Sequence, residues 1–165
     1  MPITVPTTGT AISTANFGAP VANAINNGSP TFSQSSTAQT ATATEAKDTG
    51  VGDIVLNVTS ATVWYRVKYK ARLNAVGGAI NGDLRIRDGG AASPTTTSTL
   101  LTGASSELPA AGVPQDTVAE QLVQFSVGTH TLGGFYAKVT GAGTSVNADN
   151  ATGQLRLLEA EQVTF

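Results

Sequence analysis

The chemistry open to this chain is limited by its single histidine, His130, which lies in the stretch GTHTLGG. A serine-hydrolase triad would have to use His130 as its base. The residues around His130 predict a turn, and the sequence identifies no serine and aspartate to complete a triad. We therefore expect His130 to be an isolated, exposed histidine without a catalytic role.

Carboxylates offer two further candidate sites, one catalytic and one for a metal ion. Neither has the residue spacing that is typical of such a site. Glu159 and Glu161 share a face on a strand, and paired carboxylates can catalyse glycoside hydrolysis, but such neighbours more often form ion pairs with adjacent strands. Asp149, between Asn147 and Asn150, could bind calcium, yet its segment lacks the spaced carboxylates of a calcium loop and predicts a turn. The chain has no cysteine, which excludes a thiolate metal site. We predict no enzymatic activity, no metal and no cofactor.

The most regular pattern in the chain is a row of basic residues in the run VWYRVKYKARLNA. Cations recur there at every second position, so a β-strand would place them all on one face. The run DLRIRD repeats the pattern, and a hairpin between the two runs would join their basic rows. The predicted basic face consists of Arg66, Lys68, Lys70, Arg72, Arg85 and Arg87.

Three uses of this basic face are open. It could bind nucleic-acid phosphates, dock on an acidic protein or glycan surface, or be neutralised by Glu120, Glu159 and Glu161 of neighbouring strands. Nucleic-acid binding usually adds exposed aromatic residues, but Tyr65 and Tyr69 point to the opposite face. The formal net charge of −2 gives no overall attraction to nucleic acid or to an anionic membrane. We expect neither of these partners.

The elements that position these residues are predicted to be short strands. The chain of 165 residues is rich in Gly and Thr and poor in straight-chain helix formers, which is typical of strands joined by tight turns. Seven or eight such runs predict an all-β fold, an antiparallel, jelly-roll-like β-sandwich over residues 46–165.

Two of the runs and one connection give more detailed expectations. In GFYAKVTG, Phe135, Ala137 and Val139 share a face, and in the last run Leu155 and Leu157 form the apolar face. Residues 103–117 contain two prolines and a glycine within a few positions and are predicted to form a long loop.

The first 45 residues have a different composition. No charged residue precedes Glu45, yet the segment holds several large apolar residues, unlike a typical disordered tail. The spacing of some of them predicts one short helix near residues 16–27. We interpret residues 1–45 as an arm that lies against protein, the alternative being a plain flexible terminus. The arm residues predicted to contact protein are Ile12, Phe17, Val21, Ile25 and Phe32.

Several segments are similar to small virion proteins of tailed bacteriophages, particularly those of actinobacterial hosts. The segment TGTAISTANFGAPVANAINN is similar to their openings. The stretches TVWYRVKYKARLNAVGGAINGDLRIRDGG, GTHTLGGFYAKVTGAG and GQLRLLEAEQVTF resemble their single β-sandwich. The resemblance is one of pattern, it covers most of the chain, and it brings no catalytic residues with it.

Membership of this family would imply a structural protein on the exterior of the virion, assembled in the host cytoplasm. It would imply a jelly-roll-like homotrimer, fixed by its N-terminal arm to the major capsid protein or to tail proteins. An arm with one compact unit favours a capsid decoration protein. The alternative is a minor tail or tail-tip protein that contacts the host surface, with Trp64 and Tyr136 stacking on a surface glycan.

Overall fold

The computed structural model describes residues 31–35, 39, 42–149 and 155–164, and these residues form β-strands joined by turns and loops. Within these ranges there is no helix, and so none that is long and apolar enough to cross a bilayer. The strands are β1 (Thr31–Ser35), β2 (Glu45–Lys47), β3 (Ile54–Val58), β4 (Trp64–Val76), β5 (Ile80–Asp88), β6 (Thr99–Leu108), β7 (Gln115–Gln124), β8 (Gly128–Gly141), β9 (Ser145–Asp149) and β10 (Arg156–Val163).

The strands form two antiparallel sheets. Sheet A has the order β1-β10-β4-β7, and β9 pairs with β4 beyond β10. Sheet B has the order β2-β8-β5-β6, and β3 pairs with β8 on the same side as β2. If β2 with β3, and β9 with β10, are each counted as one interrupted strand, the sandwich has eight strands. The first then pairs with the eighth, the second with the seventh, the third with the sixth and the fourth with the fifth. This nested pairing is the jelly-roll arrangement of two Greek keys, and it confirms the predicted fold class.

Alternation along the strands builds the core between the sheets. Along β4, every second residue from Tyr65 to Ala75 is buried, as the sequence predicts. Leu84 and Ile86 of β5 face this row from sheet B and are fully buried. In β3, the core positions are Ile54, Leu56 and Val58.

Two segments predicted as loop or turn contain strands. Residues 103–108 continue β6 and residues 115–117 begin β7, so the long loop predicted over 103–117 is wrong. Ser145–Asp149 forms β9 and pairs with the end of β4. In both segments small residues such as Ala104 and Ala148 stand at core-facing positions, so the apolar alternation that indicates a strand is weak.

In β8, Phe135 and Ala137 share a face as predicted, but it is the outer face of sheet B. The core positions of β8 belong instead to Leu132, Gly134 and Tyr136. Phe135 is nevertheless fully buried, because other side chains on the outer face of sheet B cover it.

Gly134 lets the two sheets pack closely, and a side chain at this position should be costly. A Cβ atom there would lie 2.9 Å from Cζ of the fully buried Tyr69 ring and 3.0 Å from its Cε2. We expect Gly134→Ala to lower the free energy of unfolding by about 1–3 kcal/mol because the core is overpacked. Urea denaturation measures this loss.

The control is Gly52→Ala, where the added Cβ would contact only the Ser33 hydroxyl, at 3.3 Å. It should change the free energy of unfolding by about 0.5 kcal/mol or less. Equal losses for the two variants would contradict the close contact at Gly134.

Candidate functional site

The outer face of sheet A holds four of the six residues of the predicted basic face. Because the alternate residues of β4 fill the core, its remaining side chains point outward. The outward cations of β4 are Arg66, Lys68, Lys70 and Arg72, as predicted.

Carboxylates of β10 neutralise part of this row. Glu161 accepts a hydrogen bond from Arg66, and Glu159 lies 3.6 Å from the Lys68 ammonium group. The hydrogen bond to Glu161 raises the pKa of Arg66. This confirms that Glu159 and Glu161 are ion-pair partners on a neighbouring strand.

A second acidic row flanks β4 on its other side. In the register of β4 with β7, Glu120 lies opposite Lys68, and Asp116 lies opposite Arg72. Together with the two glutamates of β10, four carboxylates therefore lie opposite three of the four cations, while Lys70 lies between Leu157 and Val118. The outer face of sheet A is a balanced charge lattice, which favours neutralisation over docking on phosphate or on an acidic surface.

Arg85 and Arg87 do not join this lattice, so the single basic face is wrong. β4 and β5 lie in opposite sheets and do not pair with each other, which places the two arginines on the far side of the sandwich. Between the strands the chain turns at Gly77 and Gly78, whose φ angles are 77° and 144°. The sequence indicates this turn, but it does not show that the turn crosses between sheets.

On the outer face of sheet B, Arg85 and Arg87 share one carboxylate. Both guanidinium groups donate to Glu45 of β2, and Arg85 also contacts Asp83 at 2.9 Å. Burial alone would raise the pKa of Glu45, but the hydrogen bonds from Arg87 and Arg85 outweigh it and lower that pKa. Arg87 also covers the Phe135 ring, with 5.9 Å between the guanidinium carbon and the ring centroid.

A buried ion pair that the sequence analysis missed joins the two sheets. Asp48 follows β2, Arg156 begins β10, and both are 0% exposed. Arg156 Nε and the Tyr69 hydroxyl each donate to Asp48 Oδ2, at 2.6 Å in both cases. The backbone N–H groups of Gly50 and Val51 donate to Asp48 Oδ1 at 3.0 and 3.1 Å. Because the pair is closed to solvent and hydrogen-bonded within the chain, it stabilises the fold and is not accessible to a ligand.

His130 is not isolated, which corrects the prediction. Its Nδ1 lies 2.7 Å from Asp88 Oδ2, and its Nε2 lies 3.3 Å from Ser126 Oγ, in the order of a catalytic triad. However, Nε2 is closer to the Ser126 carbonyl oxygen, at 3.0 Å. The Asp88 carboxylate and the Ser126 carbonyl both only accept, so each ring nitrogen faces an acceptor, and the carbonyl competes with the Ser126 hydroxyl for Nε2. The cluster therefore links the end of β5 to the turn between β7 and β8.

Metal ligands are not clustered in the described ranges. No group of three or more His, Cys, Asp or Glu side chains is placed there to hold an ion. Asn147 lies within β9 and not in the predicted turn, and Asn150 is outside the described residues.

The two aromatic residues suggested for glycan stacking differ in exposure. Trp64, at the start of β4, is 37% exposed. Tyr136 is only 2% exposed and faces the core. A stacking surface that uses both rings is therefore excluded.

Among the predicted arm contacts, the structure describes Phe32, which is 58% exposed on β1. β1 pairs with β10 at the edge of sheet A, so the sandwich includes residues that precede the predicted boundary at residue 46. The predicted helix near residues 16–27 lies outside the described residues, as do Ile12, Phe17, Val21 and Ile25.

The fold and these charge clusters define a jelly-roll β-sandwich protein, and comparisons with known proteins add no family. No protein-family model and no curated protein matches the sequence. Among solved structures, the chain is similar to the insecticidal delta-endotoxin Cry8Ea1 from Bacillus thuringiensis, with 17% identity and a TM-score of 0.42. The match covers 75% of this chain and 19% of that chain. At this TM-score we draw no functional conclusion from the similarity.

Proposed function

We propose that this chain is a non-enzymatic structural protein on the exterior of a tailed bacteriophage particle, where it decorates and stabilises the capsid. The observation that carries the proposal is the position of β1. The first 30 residues join the sandwich through this edge strand, whose Phe32 is exposed. A segment attached at an edge can extend to a neighbouring chain while the core stays closed.

The distribution of charge supports the same role. Apart from Lys70, the cations of β4 and β5 have carboxylates of the same chain beside them on both outer faces. The uncharged N-terminal segment, with its apolar residues, is therefore the better candidate for attachment. The partner of this segment is the major capsid protein, or a tail protein in the alternative below. The resemblance to phage virion proteins further implies that the chain forms a homotrimer.

Removal of residues 1–30 should separate folding from attachment. The truncated chain keeps β1 to β10, so it should fold, yet it should bind empty capsids at least tenfold more weakly than the full chain. Co-sedimentation with capsids that lack the protein measures binding, and circular dichroism checks folding.

A charge variant on the outer face serves as the control. Arg66→Ser changes an exposed ion pair of the sandwich and leaves the N-terminal segment intact, so it should bind capsids as the full chain does. Undiminished binding of a folded truncated chain would refute attachment through residues 1–30.

The alternative role is that of a minor tail or tail-tip protein that contacts the host surface, and the exposure of Trp64 favours it. In that case the chain should bind host cells, and Trp64→Ala should weaken this binding. Binding to empty capsids but not to cells would favour decoration.

A further inference from the structure

The ring of His130 lies between two hydrogen-bond acceptors. Its Nδ1 faces Asp88 Oδ2 at 2.7 Å, and its Nε2 faces the Ser126 carbonyl oxygen at 3.0 Å. The side chains of His130 and Asp88 are each 12% exposed, so most of the pair is shielded from solvent. A neutral imidazole has one N–H and one lone pair, whereas the imidazolium has two N–H groups. Only the imidazolium can therefore donate to both acceptors.

Loss of one ring proton removes one of these two hydrogen bonds. The negative charge of Asp88 keeps the remaining proton on Nδ1, which leaves the lone pair of Nε2 directed at the Ser126 carbonyl oxygen. Two acceptors at this separation repel each other. The Ser126 hydroxyl, 3.3 Å from Nε2, can donate to the neutral ring, but the carbonyl group has to turn away before this bond becomes the main contact. Deprotonation therefore favours a different position of the backbone at Ser126.

The described side chains that pack against this ring from the other elements are uncharged. Leu56 of β3 lies opposite His130, and Phe125 contacts the ring with 4.7 Å between the centroids. Tyr65 of β4 packs on the Phe125 ring at 5.6 Å, and burial raises the pKa of Tyr65, so it stays neutral near neutral pH. Arg87 precedes Asp88 in β5 but lies on the outer face of sheet B. The charge that faces the ring is therefore that of the Asp88 carboxylate.

The turn between β7 and β8, residues 125–127, is little restrained by packing beyond its first residue. Phe125 anchors the start of the turn in the core, where it is 4% exposed, whereas Val127 is 64% exposed. At the start of β8, Gly128 has a φ of 141°, and nothing lies within 4 Å of the position that a Cβ atom would take there. The contact between Ser126 and His130 is therefore an important restraint on this turn.

We propose that His130 is a pH-dependent latch on the turn between β7 and β8. With two ring protons, His130 ties the Ser126 carbonyl group to Asp88 at the end of β5. When Nε2 gives its proton to water, its lone pair repels the carbonyl oxygen, and the turn with the exposed Val127 is released. Histidine is the side chain that ordinarily changes charge between about pH 5 and 8, so the latch opens as the pH rises. This device belongs to the sandwich and does not depend on attachment to a particle.

Two labels in the full-length chain test the proposal. The chain has no cysteine and one histidine, so Val127→Cys gives a single site for a spin label, and nitrogen-15 histidine gives the signals of a single ring. Between pH 5 and pH 9, electron paramagnetic resonance should show that the motion of the spin label becomes faster, by about twofold or more. Nuclear magnetic resonance of the ring nitrogens should show the loss of the second ring proton over the same pH interval.

Asp88→Asn in the labelled chain should abolish the response. Asp88 Oδ1 accepts from the Gly90 N–H group at 2.8 Å, so an amide oxygen can replace it, and the amide nitrogen then faces Nδ1. That nitrogen donates to a neutral ring whose Nε2–H donates to the Ser126 carbonyl group, so the label should stay restrained at both pH values. The matched control is Asp83→Asn, which changes another carboxylate of β5, one that pairs with Arg85, and it should keep the response.

A spin label whose motion does not change with pH would overturn the proposal, and so would a change outside the interval in which the ring loses its proton. A full response in a folded Asp88→Asn chain, or no response in Asp83→Asn, would also contradict it. Circular dichroism checks the folding of both variants, and if Asp88→Asn does not fold, the agreement of the two pH intervals decides. These measurements use the chain alone, so their failure is distinguishable from a failure of capsid attachment.

Discussion

Asp48→Ala is expected to lower the free energy of unfolding by about 3–5 kcal/mol, more than the loss of any ion pair on the outer faces should cost. The Arg156 guanidinium would stay fully buried without its carboxylate, and the Tyr69 hydroxyl would lose its acceptor. The N–H groups of Gly50 and Val51 would also lose theirs. Urea or thermal denaturation followed by circular dichroism measures the loss.

The control is Glu159→Gln, which removes a carboxylate from an ion pair on the outer face of sheet A, where both side chains keep contact with solvent. It should cost about 1 kcal/mol or less. The double variant Asp48→Ala with Arg156→Ala should lose less stability than the two single losses added together, because it leaves no unpaired buried charge. Equal costs for Asp48→Ala and Glu159→Gln would contradict the role of the buried pair.

Stability should fall steeply above about pH 10, because the chain has three tyrosines and all are buried in the folded state. Burial raises the pKa of Tyr65 and Tyr136, and burial together with the Asp48 charge raises the pKa of Tyr69 well above its ordinary value. Above about pH 10 the unfolded chain loses these protons while the folded chain keeps them, so rising pH favours unfolding. Below about pH 10 the contribution of the protonated tyrosines to stability is present in full.

Tyr69 should account for most of this slope, up to about 1.4 kcal/mol per pH unit. Denaturation midpoints between neutral pH and pH 11 measure the slope, and absorbance of the tyrosinate shows whether ionisation accompanies unfolding. Tyr69→Phe should have a flatter slope than the wild type, whatever its stability at neutral pH. Tyr65→Phe, which removes a less strongly perturbed tyrosine, should flatten it less. An unchanged slope in Tyr69→Phe would contradict this assignment.

The sequence predicts the fold class and the buried faces of most strands because alternation is strict where outward positions are polar. β4 is the clearest case, since its outward Arg66 and Lys68 show which residues face the core. β10 breaks the rule because Arg156 lies on the core face beside Leu158, and this makes Leu155 and Leu157 look like the apolar side. A buried charged residue such as Arg156 is thus mistaken for a surface residue, because its ion-pair partner Asp48 lies far away in the sequence.

The alternation of polar and apolar residues does not predict which strands pair or which side chains cluster. It shows which residues share a face, but not which strand lies alongside, so it joins the rows of β4 and β5 although they lie in opposite sheets. In the same way, His130 meets Asp88 across 42 positions of the chain. Carboxylates near the cations of β4 can be predicted because Glu159 and Glu161 alternate on a strand of their own.

The nested pairing of the jelly roll fixes when each strand can find its neighbour during synthesis. None of β1 to β5 can form a final pair until β6 leaves the ribosome, and β1 has no partner until β10 follows. Among the described strands, the innermost hairpin of β5 with β6 is therefore the only pairing that closes over a short stretch of chain. Each later pair closes around those already formed, and the last strand to be enclosed is the one that adjoins the N-terminal segment.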